Sequence, residues 1–79
     1  MRHELVIPST ADGALAVTVL NWLKKVGEPV TAGEDLVEAK TEKITLYITA
    51  PVNGHVAEII VGPDEVVGIG DVVGYVEEA

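Results

Sequence analysis

Matched residues recur along this chain at a single spacing of 37 positions, and that spacing restricts the fold more than any other feature. Val19 is matched by Val56, Glu28 by Glu65, Val30 by Val67 and Gly33 by Gly70. Glu34 is answered by Asp71, which keeps an acid after the glycine, and Leu36 by Val73, which keeps an apolar position. Gly27 falls opposite Asp64, and both residue types tolerate the left-handed backbone that a turn used twice requires. A chain of this kind reads as two similar halves, about 1–43 and 44–79, related by a pseudo-two-fold axis. Its 79 residues support one small domain.

Inside the halves the apolar residues run at period two. From Ile44 onward, Ile44, Leu46, Ile48 and Ala50 alternate with Thr45, Tyr47 and Thr49, the pattern of a half-buried strand. His3–Ile7, Ala14–Leu23, Val30, Leu36–Ala39, His55–Val61, Val66–Val67 and Val72–Val76 read as further strands. Leu15, Val17 and Val19 are the apolar positions of the second of these, and Leu20 breaks its alternation, as at a bulge. Gly, Pro, Asn and Asp clusters punctuate the intervals, and no segment holds a 3.6-residue apolar stripe long enough for a helix. Val, Ile and Leu dominate and Phe is absent, which favours pleated surfaces. Halves of about four short strands each can cover one another's apolar faces. The expected fold is therefore all-β: a flattened barrel or sandwich of two small antiparallel four-stranded sheets, with the hairpin that joins the halves at one end and the chain termini at the other.

Charge and composition narrow the function. Thirteen acids against five Lys and Arg give a net charge of −8, so the chain lacks the basic footprint of a nucleic-acid binder and would be repelled by an anionic membrane. Without cysteine there is no disulfide framework, thiolate metal site or Cys nucleophile. His3 and His55 have no carboxylate cluster at metal-ligand spacing around them, Gly68-Ile69-Gly70 precedes no helix, and nothing resembles a Ser/His/Asp set, so the chain reads as non-catalytic. Trp22 reads as a large packing residue.

What remains is the central hairpin. Leu36–Ala39 and the run from Ile44 are strands separated by Lys40-Thr41-Glu42-Lys43, a connection without Gly or Pro. Such a tip suits a type I turn, with Glu42 and Lys43 at the apex and Lys43 projecting into water. By itself a lysine on a turn is a solubilising residue. Its surroundings are more specific: Thr41-Glu42-Lys43-Ile44, with Glu38 five residues before the lysine and Ala50-Pro51 after it, resembles the attachment site of lipoyl domains. The stretches Asn21–Val30 and Pro51–Val56 are also similar to that family, and the resemblance extends from about Leu5 to Val76.

The resemblance implies a barrel-sandwich hybrid carrying (R)-lipoate as N6-lipoyllysine at Lys43, with Glu38, Thr41, Glu42 and Ile44 serving recognition. Lys40, three residues earlier, is the rival attachment point and falls on the rising strand. The resemblance further implies a lipoate ligase or lipoyl transferase that loads the domain, a thiamine-dependent 2-oxo acid decarboxylase that reductively acylates the arm, and an acyltransferase core that passes the acyl group to coenzyme A. Dihydrolipoyl dehydrogenase would reoxidise the arm. The setting so implied is the cytoplasm of a bacterium or archaeon, or the mitochondrial matrix, and the isolated domain would be monomeric. Glu42 stands where the family commonly has Asp, Lys40 stands where Glu is common, and the loop Pro8–Gly13, which neighbours the hairpin in the family and contributes to the choice of decarboxylase, lacks the frequent Gly-Glu-Gly. A biotinyl carrier shares the fold, but its lysine typically sits between methionines, and here the neighbours are Glu42 and Ile44. An unmodified binding or adaptor module is the alternative of a different class.

Overall fold

The structure, a computed structural model, describes residues 1–79. It contains eight strands and no helix: β1 (Arg2–Val6), β2 (Ala16–Trp22), β3 (Pro29–Val30), β4 (Asp35–Lys40), β5 (Thr45–Thr49), β6 (Gly54–Ile59), β7 (Val66–Gly68) and β8 (Val72–Glu78). They form two antiparallel four-stranded sheets, ordered β1-β8-β6-β3 and β5-β4-β2-β7. The sheets do not close on each other, so the molecule is a flattened sandwich rather than a barrel. Neither half of the chain makes a sheet of its own. Each contributes two strands to each sheet, an interleaving that covers both apolar faces at once.

The 37-residue spacing reappears in the strand register. Thr18, Val19, Asn21 and Trp22 oppose Lys40, Ala39, Glu38 and Val37; His55, Val56, Glu58 and Ile59 oppose Glu77, Val76, Tyr75 and Gly74. Leu20 and its counterpart Ala57 are left without partners at matching bulges, which sharpen the local twist. The turns match too. Gly27 N donates to Val56 O and Asp64 N to Val19 O, and Gly27 (φ 92°) and Asp64 (φ 69°) are both left-handed. Asp64 is the one non-glycine residue in that region, where a short acidic side chain is tolerated best.

The period-two pattern explains the core. Fourteen buried residues, all aliphatic, form one cluster, with Leu5, Ile7 and Leu36 the largest of those that are fully buried. No polar side chain is buried. Leu36 and Val37 are both fully buried although adjacent, because the β4–β5 register shifts between Asp35 and Val37. Trp22 is half-buried: its Nε1 donates to Val61 O at 2.8 Å, and its ring lies over Gly74, where an added Cβ would come within 2.7 Å of it. Leu15, read above as an apolar strand position, is 89% exposed and precedes β2. Its carbonyl is held by Ile69 N, which leaves its side chain beyond the sheet.

The two ends of the sandwich differ. Ala79 N donates to Asn53 O and Glu78 N to Met1 O, so both termini gather beyond the Thr49 end of β5. The other end of β5 leads to the β4–β5 tip.

Candidate functional site

The β4–β5 hairpin is anchored at its base and progressively released toward its tip. On the inward face of β5 and its extension, Ala50 and Ile48 are 3% and 5% exposed, Leu46 is half-buried and Ile44 is 38% exposed. The ladder closes at Lys40 opposite Thr45. Beyond it Thr41 N donates to Ile44 O at 2.8 Å, and Glu42 and Lys43 form the apex, both exposed and neither at positive φ.

Thr41 organises this tip. Its Oγ1 accepts hydrogen bonds from the amides of Lys43 and Ile44, each at 3.1 Å. It donates its own proton to Asp12 Oδ2 at 2.6 Å. A threonine hydroxyl has one donor and two acceptor sites, and all three are used here. The second oxygen of Asp12 accepts from the Thr10 hydroxyl and, at 3.2 Å, from Ala14 N. The donors from Thr10 and Thr41 hold the Asp12 carboxyl below the usual carboxylate range. A 29-residue separation is thus bridged by one side-chain contact.

The lysines are distinguished by position. Lys40 lies within β4, between Thr18 of β2 and Thr45 of β5. Lys43 stands past the last paired residues. Neither takes part in an ion pair, whereas Lys24 is engaged by Glu34 at 3.0 Å. Beside Lys43 lies an open hollow of about 280 Å³, bounded by Asp12, Ala14, Ala16, Thr41 and Glu42 as well as Lys43 itself. The small alanines leave room next to the amine. Glu38 sits lower on the hairpin, opposite Tyr47, and accepts from the Tyr47 hydroxyl at 3.1 Å. That bond raises the Tyr47 phenol and occupies Glu38 with a tyrosine rather than a lysine.

Of the residues singled out in the sequence, Thr41, Glu42, Lys43 and Ile44 therefore meet at the tip, and Glu38 does not. Asp12 and Thr10 carry no motif signal of their own, since a loop acid is ordinarily a solvated residue.

Chemically the tip offers a primary amine on a rigid support, free of ion pairs and next to empty space. That suits covalent attachment of an acyl group through an amide. No nucleophile–base pair stands beside it.

Comparison with known proteins gives a consistent result. Residues 3–76 match the biotin–lipoyl family, described as biotin-requiring enzyme. The chain is 35% identical over 78 residues to the dihydrolipoyllysine-residue succinyltransferase component of the 2-oxoglutarate dehydrogenase complex of Rickettsia conorii, covering 99% of this chain and 20% of that protein. It is 32% identical over 76 residues to the dihydrolipoyllysine-residue acetyltransferase component of the pyruvate dehydrogenase complex of Corynebacterium glutamicum, covering 96% of this chain and 11% of that one. The chain thus spans about a fifth or less of the length of these relatives. Among solved structures it is similar to the lipoyl domain of the 2-oxoglutarate dehydrogenase complex of Azotobacter vinelandii, with TM-score 0.76, 29% identity and 95% of both chains covered. It is also similar to part of a single-chain, multi-domain long-chain acyl-CoA carboxylase, with TM-score 0.83, 26% identity, 99% of this chain and 7% of that one.

Proposed function

The chain belongs to the biotin–lipoyl attachment family, and from that premise we propose that it is a lipoyl carrier domain whose lipoate is amide-linked to Lys43. One observation carries this reading: Lys43 is the exposed apex of Thr41-Glu42-Lys43-Ile44, beyond the last strand pair, on a tip held by its own backbone amides. The fold alone does not separate lipoate from biotin, since the carboxylase segment superposes as well as the lipoyl domain does. The neighbours of the lysine favour lipoate: Glu42 and Ile44 replace the methionines that commonly flank a biotinyl lysine.

The domain's part in the chemistry is positional. An ammonium group is not a nucleophile, so loading needs an ATP-dependent ligase or a transferase that presents the acid in activated form and takes up the lysine proton. Lys43 nitrogen then forms the amide as the activating group leaves. When attached, lipoate supplies a disulfide that accepts an acyl group with two electrons and passes it on. The hairpin holds the attachment point off the sandwich, and the β-sheet base keeps it from moving with the arm. The names of the relatives support a 2-oxo acid dehydrogenase complex as the setting, with an acyltransferase core, a decarboxylase and dihydrolipoyl dehydrogenase as partners. Tethering in such an assembly raises the local concentration of the arm at each site.

The test is the intact mass of the chain after incubation with lipoate, ATP and a lipoate–protein ligase, beside a biotin–biotin ligase sample and the Lys43→Arg variant. A single lipoyl addition that is absent from Lys43→Arg is expected. Biotin addition would move the chain to the biotinyl carriers, and no addition from either acid would leave a binding module. Once loaded, reductive acylation by 2-oxoglutarate- and pyruvate-specific decarboxylases identifies the substrate acid.

A further inference from the structure

Resting on the lipoyl-carrier reading, we propose that Asp12 is a positioning residue for modification at Lys43, acting through the hydroxyl of Thr41. The β1–β2 connection runs from Ile7 to Leu15, whereas its counterpart in the second half, between β5 and β6, runs only from Ala50 to Asn53. The extra length brings Asp12 against the hairpin. Its Oδ2 accepts the single Thr41 hydroxyl proton at 2.6 Å. With the proton so directed, the two lone pairs of Thr41 Oγ1 face the amides of Lys43 and Ile44, which donate to it at 3.1 Å. Without Asp12 the hydroxyl can rotate, and one of those amides loses an aligned acceptor. Asp12 is itself fixed by Thr10 and by Ala14 N, so the clamp is rooted in the loop rather than in the hairpin. Asp12 makes no hydrogen bond or ion pair with the Lys43 amine; its partners are Thr10, Ala14 and Thr41.

A residue of this kind sets where the amine stands, and placement of the reacting atom governs the rate of the bound complex. The ligase's contacts with the exposed apex remain available, so the loss belongs in kcat rather than KM. The experiment is steady-state lipoylation of the full chain by an ATP-dependent lipoate–protein ligase, with thermal unfolding measured on every variant. Asp12→Ala is expected to lower kcat about tenfold or more while KM changes less than about twofold. Asp12→Asn, which can turn its carbonyl oxygen to Thr41, should recover most of the rate. Thr41→Val, which removes the acceptor of both amides, should lower kcat at least as much as Asp12→Ala, Thr41→Ser should stay near the parent, and the Asp12→Ala/Thr41→Val double variant should be no slower than Thr41→Val alone.

A folded Asp12→Ala with unchanged kcat, or fully multiplicative effects in the double variant, would overturn the inference. If Asp12→Ala does not fold, Asp12→Ser, whose shorter side chain cannot reach Thr41 Oγ1, replaces it in the same cycle with Thr41→Val and decides the same point. Failure of the parent chain to accept lipoate at all is a different result and would instead remove the carrier reading.

Discussion

If the hairpin is anchored at its base and merely presented at its tip, truncating the same residue type at two points on one face must have unequal consequences. Ile48 and Ile44 lie four residues apart on the inward side of β5 and its extension, 5% and 38% exposed. Ile48 faces the core opposite Val37, which is fully buried. Cutting a buried isoleucine to alanine costs about 2–5 kcal/mol. The lower part of that range applies here, because an open groove of about 250 Å³ lined partly by Leu5, Ile48 and Pro51 lets the site relax and hydrate. We take about 3 kcal/mol for Ile48→Ala. Ile44 keeps over a third of its surface in water already, so Ile44→Ala should cost about 1 kcal/mol or less. An unfolding entropy of about 2.1 cal/mol/K per residue, over 79 residues, gives about 6 °C of Tm per kcal/mol. Ile48→Ala should therefore lower Tm by about 18 °C and Ile44→Ala by about 6 °C or less. Circular dichroism melts of the two variants beside the parent measure this. Ligase-catalysed loading, assayed well below both transitions, should be little changed in Ile48→Ala, since the tip bonds do not involve it. Equal Tm shifts, or a larger shift from Ile44→Ala, would refute the base-anchored picture.

Three other perturbations follow from the geometry. In Gly74→Ala the new methyl would lie 2.6 Å from Glu58 O and 2.7 Å from the Trp22 ring, so the indole must shift; a red-shifted Trp22 emission with a lower Tm is expected, and an unchanged spectrum would count against the packing described. Asp64→Val forces a β-branched residue into a φ of 69° and should cost about 1–2 kcal/mol, while Asp64→Gly should melt close to the parent; equal losses would mean that the side chain, not the backbone, matters there. The carboxyls of Glu34 and Asp12 are lowered, Glu34 chiefly by Thr31 N–H and then Lys24, Asp12 chiefly by Thr10 and then Thr41. Their stabilisation is complete above the unfolded carboxylate value and is lost as pH falls through the depressed folded values. Lys24 is raised by its bond to Glu34, so its contribution is complete below the unfolded lysine value and is lost as pH rises through the folded one. Tm should decline below about pH 4 and above about pH 10.5, and Glu34→Gln should flatten both limbs; slopes identical to the parent would show that this pair contributes nothing.

Local rules made a large part of the molecule legible. Period-two alternation marks strands wherever one face is buried, so Ile44–Ala50 could be read from its residues alone. Leu20 interrupts an alternation, and a bulge is what an interrupted alternation means. Gly27 and Asp64 take equivalent places in two matching turns because left-handed backbone selects few residue types. Lys43 falls at an apex because the strands on either side leave so few residues for the connection. Strand ends were less legible: β8 runs on to Glu78, past Val76, because its partners β1 and β6 lie on both sides and pair its last residues.

By itself, the sequence determined that this is an all-β domain of two related halves with a lysine at the tip of a central hairpin, since each of those features is a pattern among near neighbours. Only the tertiary structure decided that the halves exchange strands between two open sheets, that Leu15 lies outside the core, and that Asp12 grips Thr41. Pairing partners are chosen by burial across the whole sandwich. A hydrogen bond between residues 29 positions apart has no period, spacing or composition by which a linear reading could detect it.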